Sequence, residues 1–175
     1  PTISNNTIAK NSALQYGGGI YCSSSSPTIS NNTITENGAI RYGGGIYCSS
    51  SSSPIISNNT ITANSATNGG GICSFRSSSP AISNNTIAAN SVSRYGGGIY
   101  CYYYSSPAIS NNTITANSAS SNGGGIYCEY ESSPSISNNI IAFNSSGIYR
   151  YGASPALRNN CVYNPEGYDY SGISP

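Results

Sequence analysis

The acidic residues are the side chains of this sequence that could perform acid–base chemistry, and only one pair of them is close together. Glu129 and Glu131 lie at alternate positions of one strand or loop, and on a strand this spacing would place both carboxylates on one face. The chain has no His and five acidic residues in all, so the usual general base and the commonest metal ligand are missing. With no Asp cluster and no Lys beside the pair, the sequence predicts no catalytic residue, no metal and no cofactor.

Tyrosine offers the richest binding chemistry, with 16 copies. Four copies of Gly-Ile-Tyr-Cys put a Tyr at the same place in the sequence pattern, and alternation along a strand predicts an outward, exposed column of these rings. Flat rings with a hydroxyl group suit the faces of sugars, so we predict a glycan-binding face. The alternative is that stacked tyrosines only cover strand edges. The candidate ligand-binding residues are Tyr21, Tyr42, Tyr47, Tyr95, Tyr100, Tyr102, Tyr103, Tyr104, Tyr127, Arg76, Glu129 and Glu131.

Charge is scarce along the whole chain. Lys plus Arg is 6 and Asp plus Glu is 5, which gives a net charge of +1 and 6% charged residues. A surface of this kind has no basic stripe with which to neutralise a phosphate backbone, so nucleic acid is not an expected partner. No run of about 18 apolar residues is present either, so the sequence predicts no insertion into a membrane.

A repeat positions all of these residues. Each copy begins with Pro-X-Ile-Ser-Asn-Asn and continues to a Gly triplet, Ile-Tyr-Cys and a Ser run, at intervals of 26 or 27 residues and finally 21. Periods of this length indicate stacked supersecondary units. Pro, Asn and Gly disfavour helices, whereas Ile, Tyr and Thr favour strands, so we predict three short strands per coil. The copies, numbered below as coils one to seven, start at Pro1, Pro27, Pro54, Pro80, Pro107, Pro134 and Pro155.

Stacking turns each position of the repeat into a column. Ile residues are expected to fill a thin core, and Cys22, Cys48, Cys101 and Cys128 to line it as free thiols. Cys161 is expected to face outward, and Cys73 either to face outward or to mark a local bulge. The Asn doublets are expected at a corner, because Asn tolerates the left-handed conformation and its amide can bond the next coil. A second Asn column is expected at a further turn, from Asn11 to Asn144. The predicted ladder positions at the doublets are Asn5, Asn31, Asn58, Asn84, Asn111 and Asn138.

The Pro-X-Ile-Ser-Asn-Asn and Gly-Gly-Gly-Ile pattern resembles the repeats of the pectate-lyase-like superfamily, and it is also similar to the repeats of polymorphic outer membrane proteins, with Ile in place of Phe. The resemblance implies an all-β, right-handed parallel β-helix, or solenoid, of six to seven coils. We expect a single β-helix domain over residues 1–175, with six repeat coils over 1–154 and an irregular C-terminal coil over 155–175, as a fragment of a longer chain. That fold serves lyases, hydrolases, adhesins and ice-binding proteins, so it does not assign an activity.

The leading hypothesis is therefore a non-catalytic, secreted or cell-surface β-solenoid with a structural or adhesive role, which binds a polysaccharide or a cell-surface glycan through its Tyr-rich face. One alternative is a filament or stalk subunit that stacks end to end with copies of itself. Another is a polysaccharide lyase or hydrolase that uses Glu129 and Glu131. The last is ice binding through Thr-X-Thr pairs such as Thr60 and Thr62.

Overall fold

The computed structural model describes residues 1–173 of the chain. Over this range the regular structure consists of strands, with no helix and so none able to cross a membrane. Every strand pairing is parallel and joins a residue to its counterpart one coil away, as Ile29 pairs with both Ile3 and Ile56. The chain is therefore a parallel β-solenoid of seven stacked coils, as the repeat predicts.

Four sheets run along the solenoid. Sheet A contains Thr2–Ser4, Thr28–Ser30, Ile55–Ser57, Ala81–Ser83, Ala108–Ser110, Ser135–Ser137 and Ala156–Arg158. Sheet B contains Thr7–Ala9, Thr33–Thr35, Thr60–Thr62, Thr86–Ala88, Thr113–Thr115, Ile140–Ala142 and Cys161–Tyr163. Sheet C contains Ser12–Ala13, Gly38–Ala39, Ser65–Asn68, Ser91–Tyr95 and Ser118–Ala119. Sheet D contains Ile20–Ser23, Ile46–Ser49, Ile72–Phe75, Ile99–Tyr102, Ile126–Glu129, Ile148–Tyr151 and Tyr170–Ser171.

Sheets A, B and D are the three predicted strands of each coil. Sheet C is an additional short strand, present in the first five coils, that the sequence pattern did not indicate. In three of those coils it is only two residues long, too short to show an alternation of apolar and polar residues. Coil six has no strand in sheet C, because the segment between Asn144 and Ile148 is too short to form one before sheet D resumes.

The core is a thin rod of isoleucine. From coil two to coil six, the central Ile of each strand in sheets A and B and the first Ile of each strand in sheet D point inward and are buried, together with four inward cysteines. Cys22, Cys48, Cys101 and Cys128 are free and buried, as predicted. Ser74 takes the cysteine position in coil three, between Cys48 and Cys101, and its hydroxyl donates to the carbonyl of Ser78 at 2.8 Å.

The Asn doublets do form the predicted corner between sheets A and B, but the first residue of each doublet is not the ladder residue. Asn5, Asn31, Asn58, Asn84, Asn111 and Asn138 are exposed and adopt left-handed backbone conformations with φ of 56° to 59°. That conformation turns the chain and brings the following Asn under the corner, where it is buried in coils two to six. The ladder is made by Asn6, Asn32, Asn59, Asn85, Asn112, Asn139 and Asn160, with amide-to-amide distances of 3.0–3.3 Å.

The side-chain amide of Asn85 forms hydrogen bonds through both its nitrogen and its oxygen. Its Nδ2 donates to Oδ1 of Asn112 in the next coil at 3.1 Å and to the carbonyl of Ile56 in the previous coil at 2.9 Å. Its Oδ1 accepts from the backbone N–H and the side-chain amide of Asn59 at 2.9 and 3.0 Å. The second Asn column forms an equivalent ladder between sheets B and C, from Asn11 to Asn164.

The Gly triplets let neighbouring coils approach most closely before sheet D. Gly43 adopts φ of 69°, a region in which only Gly is free of steric cost. At Gly44, an added Cβ atom would lie 2.5 Å from the carbonyl oxygen of Ser65 and 2.7 Å from that of Gly70. The triplet is therefore required by the close stacking of the coils.

Candidate functional site

The outward row of sheet D does not form the exposed tyrosine column that alternation predicts. Tyr47, Tyr100 and Tyr127 point away from the isoleucine core, yet they are only 2–4% exposed. Tyr21, at the same position in coil one, is 54% exposed. The covering side chains come from the segment before sheet D, which in coil four is the end of the sheet C strand Ser91–Tyr95, and from the ends of the sheet D strands. They are Tyr16, Tyr42, Tyr95, Phe75 and Tyr102, which together with Tyr149 and Cys73 complete an aromatic cluster.

Rings in this aromatic cluster lie face to face along the solenoid. Tyr16 stacks on Tyr47 with centroids 5.0 Å apart, and Tyr127 stacks on Tyr95 at 4.7 Å and on Tyr149 at 5.0 Å. A face that is covered by another ring cannot contact a sugar. The aromatic cluster is thus a second hydrophobic core outside the coil, and burial raises the pKa of the Tyr47, Tyr100 and Tyr127 phenols well above the usual range.

Cys73 lies within the aromatic cluster, between Tyr47 and Tyr100 of the neighbouring coils. It pairs in register with Tyr47 and Tyr100, so it does face outward as predicted, but it is fully buried. Because its side chain is small, the Tyr42 ring of coil two reaches Phe75 at 5.9 Å and Tyr100 of coil four at 6.2 Å. Cys161, the other outward cysteine, is exposed as expected.

The carboxylate of Glu129 is bound inside the aromatic cluster. It is 8% exposed and accepts a hydrogen bond from the phenol of Tyr100. Burial raises the pKa of Glu129, although hydrogen bonding with the neighbouring phenols lowers it in part.

The predicted pairing of Glu129 with Glu131 does not occur on a strand. Sheet D ends at Glu129, and both Tyr130 and Glu131 adopt left-handed conformations in the loop that follows, so strand alternation stops there and Glu131 is exposed. Within residues 1–173, no group of three or more Cys, Asp or Glu side chains is placed to hold a metal ion.

Exposed rings are found instead in the loops after sheet D. Tyr103 and Tyr104 of coil four and Tyr130 of coil five are 45–52% exposed, and the Tyr103 and Tyr104 rings meet edge to face at 81°. With Arg76 of coil three, these residues form a surface that we call the tyrosine loops. An edge-to-face arrangement leaves ring faces open, in contrast to the stacked cluster.

The backbone of the tyrosine loops is strained. Arg76, Tyr103, Tyr104 and Tyr130 all have φ between 49° and 60°, a left-handed conformation that costs a residue with a Cβ atom about 1–2 kcal/mol. Coil two places two serines, Ser50 and Ser51, in the same conformation. The turn itself therefore does not require aromatic residues, and the large side chains of coils four and five are not explained by the backbone that carries them.

Two clefts meet beside the tyrosine loops. The first has a volume of about 270 Å³ and the second about 400 Å³, and Phe75, Arg76 and Tyr102 line both of them. The Arg76 guanidinium lies over the Phe75 ring, 5.0 Å from its centroid. The other lining residues are Tyr16, Tyr21, Arg41, Tyr42, Tyr47, Ser49 and Ser50 in the first cleft and Tyr103 in the second.

The predicted ligand-binding residues thus divide into three groups. Those that line a cleft are Tyr21, Tyr42, Tyr47, Arg76, Tyr102 and Tyr103. Tyr104 and Glu131 lie on exposed loops, whereas Tyr95, Tyr100, Tyr127 and Glu129 belong to the aromatic cluster or are bound within it and line neither cleft. Tyr42, Tyr47 and Tyr102 of the first group are also members of the aromatic cluster. Arg41 was missed, because it precedes sheet D in a loop whose contact with the cleft depends on how Tyr42 packs.

A family model described as "Right handed beta helix region" matches residues 1–114 and 65–173. No curated protein and no solved structure shows a significant match.

Proposed function

Since the chain belongs to the right-handed beta helix family, we propose that it is a non-catalytic solenoid of a secreted or cell-surface protein that binds glycans through the tyrosine loops. The observation that carries the proposal is the exposed pair Tyr103 and Tyr104 beside a cleft lined by Arg76. Coil two forms the same turn with Ser50 and Ser51, so the turn does not account for two large rings at the surface. The rings themselves supply flat apolar faces with hydroxyl groups at their edges, which is the chemistry of sugar recognition.

The clefts support binding of an extended chain in preference to a small enclosed molecule. Both clefts are open and run together along the solenoid at Phe75, Arg76 and Tyr102. Arg41 and Arg76 add hydrogen-bond donors that can contact hydroxyl or acidic groups of a sugar. Successive coils would then meet successive units of a polymer.

A hydrolase or lyase role receives less support from the same region. Glu129 is buried and accepts a hydrogen bond from Tyr100, whereas Glu131 is exposed in a left-handed turn. A carboxylate pair that acts on a glycosidic bond must flank that bond on one accessible surface, and the buried Glu129 carboxylate is not at the surface.

Affinity electrophoresis in gels cast with different neutral and acidic polysaccharides tests the proposal. The unmodified chain is expected to be retarded by at least one polymer, and the double variant Tyr103→Asn, Tyr104→Asn is expected to lose most of that retardation, because Asn keeps the left-handed backbone but removes the rings. Tyr163→Ala is the matched control, since Tyr163 is exposed to a similar degree, at 54%, on sheet B. Equal retardation of the double variant and the unmodified chain would overturn the proposal.

A further inference from the structure

The first asparagines of the doublets form a column of side chains that the fold does not use. Among residues 1–173, the ladder bonds at this corner belong to the second asparagines, and the first ones are exposed. In five coils the doublet is followed by Thr, which makes the pattern Asn-X-Thr that accepts N-linked glycans. The five asparagines are Asn5, Asn31, Asn58, Asn84 and Asn111.

We propose that this column is a modification site, at which the side-chain amides of the first asparagines accept N-linked oligosaccharides. The two residues of a doublet have separate roles. Asn59 bonds Asn85 and Asn32 in the ladder, whereas Asn58 turns the corner through its backbone, with φ of 56°. A glycan on Asn58 therefore breaks none of the ladder's hydrogen bonds.

The threonine of the pattern is accessible and is not demanded by packing. Thr33, Thr60 and Thr86 are exposed at the start of their strands in sheet B. In coil six the same position is occupied by Ile140, which pairs in register with Thr113. The strand therefore forms with Ile as well as with Thr. Strand formation alone does not explain why Thr recurs two residues after the exposed Asn in five coils.

The reaction needs a transferase and a lipid-pyrophosphate-linked oligosaccharide as co-substrate. The amide nitrogen of Asn58 forms a bond to C1 of the first sugar and loses a proton, while the bond from C1 to the pyrophosphate oxygen breaks and the lipid pyrophosphate leaves. No electrons are exchanged with an oxidant or reductant. The product adds hydration to a chain in which only 6% of residues are charged.

The coil spacing limits how many sites one molecule can carry. Adjacent parallel strands are about 4.8 Å apart, which is less than the width of a branched oligosaccharide. Two neighbouring coils therefore cannot both carry one without a clash between the branches. The expected maximum is three glycans per chain, in coils one, three and five, at Asn5, Asn58 and Asn111.

The test treats the folded, purified chain with a purified oligosaccharyltransferase and a short lipid-pyrophosphate-linked donor, and maps the products by mass spectrometry of peptides. Across the population of molecules, modification is expected at each of the five first asparagines, with at most three of them modified on any one chain. Thr60→Val is expected to abolish it at Asn58 alone, and Ile140→Thr to create it at Asn138, which has the same φ of 56° and the same exposure. Asn144 lies in the sequence Asn-Ser-Ser but is buried in the second ladder, so it is expected to stay unmodified.

Two outcomes would overturn the proposal. One is an unmodified column in a reaction where a flexible Asn-X-Thr peptide, added to the same tube, is modified. The other is modification of Asn144 to the same extent as Asn58, which would mean that the exposed corner does not select the site. Neither outcome depends on whether the tyrosine loops bind glycans.

Discussion

Tyr100 donates a hydrogen bond to the carboxylate of Glu129 in the next coil, within a cluster of stacked rings. The contact joins a buried acid to a buried phenol on the outside of the isoleucine core. Because burial raises the pKa of Glu129, the folded chain holds the proton of this carboxyl more tightly than the unfolded chain does.

The sign of the resulting pH dependence follows from linkage. The free energy of unfolding is expected to fall as pH rises from about 4.5 towards neutrality, because the unfolded carboxyl ionises first. Glu129→Gln should flatten this part of the profile in urea denaturation at about pH 4 to 8, while Glu131→Gln, on the exposed loop, should leave it unchanged. Identical profiles for the Glu129→Gln variant and the unmodified chain would contradict the assignment.

The two residues of an Asn doublet are expected to respond very differently to substitution. Asn85→Ala leaves the backbone N–H of Asn59 and the carbonyl of Ile56 without their buried partners, at about 1–3 kcal/mol for each unsatisfied group. Asn84→Gly keeps the left-handed turn and touches no ladder bond, so its effect should stay within about 0.5 kcal/mol. Chemical denaturation measures both variants, and a larger loss for Asn84→Gly would reverse the assignment of the ladder.

Replacement of a strained tyrosine should stabilise the chain. Tyr103→Asn places a residue that tolerates the left-handed conformation where φ is 59°, and we expect a gain of about 1 kcal/mol in the free energy of unfolding. Tyr163→Asn, within a strand of sheet B, should give no such gain. A loss of stability in Tyr103→Asn would show that the ring contributes more by packing than its backbone costs.

Only one thiol should react in the folded state. Cys161 is exposed, whereas the other five cysteines are buried and free. Burial raises the pKa of Cys73, and a hydrogen bond with Cys128, together with burial, raises the pKa of Cys101. Ellman's reagent is therefore expected to modify one thiol per chain in buffer and all six in denaturant. Cys161→Ser should remove the rapid reaction; a remaining fast thiol in that variant would place another cysteine at the surface.

The fold could be predicted from the sequence because the repeat is regular. Ile, Asn and Gly recur at fixed offsets, and every in-register pairing follows from aligning one copy on the next, as Ile29 on Ile56. The choice between Asn84 and Asn85 as the ladder residue was not readable in this way. Both residues suit a turn, and only the backbone conformation decides which side chain lies under the corner.

The candidate site was less predictable than the fold. Alternation along a strand states whether Tyr47 points into or away from the coil, and that part of the prediction is correct. It does not state whether a side chain from a neighbouring loop, such as Tyr16, then covers the ring. Exposure at this face is decided by contacts between loops and strands, which no period in the sequence encodes.

Near-identical coils also create a problem of alignment during folding. A strand of coil two could pair with coil four almost as well as with coil three, with one whole repeat looped out, because the isoleucine and asparagine columns would still match. Skipping coil three would remove the contact that the Tyr42 ring makes with Phe75 of that coil and would take Cys73 out of the aromatic cluster. The irregular side chains of coil three thus supply contacts that distinguish the correct alignment from one in which a coil is skipped.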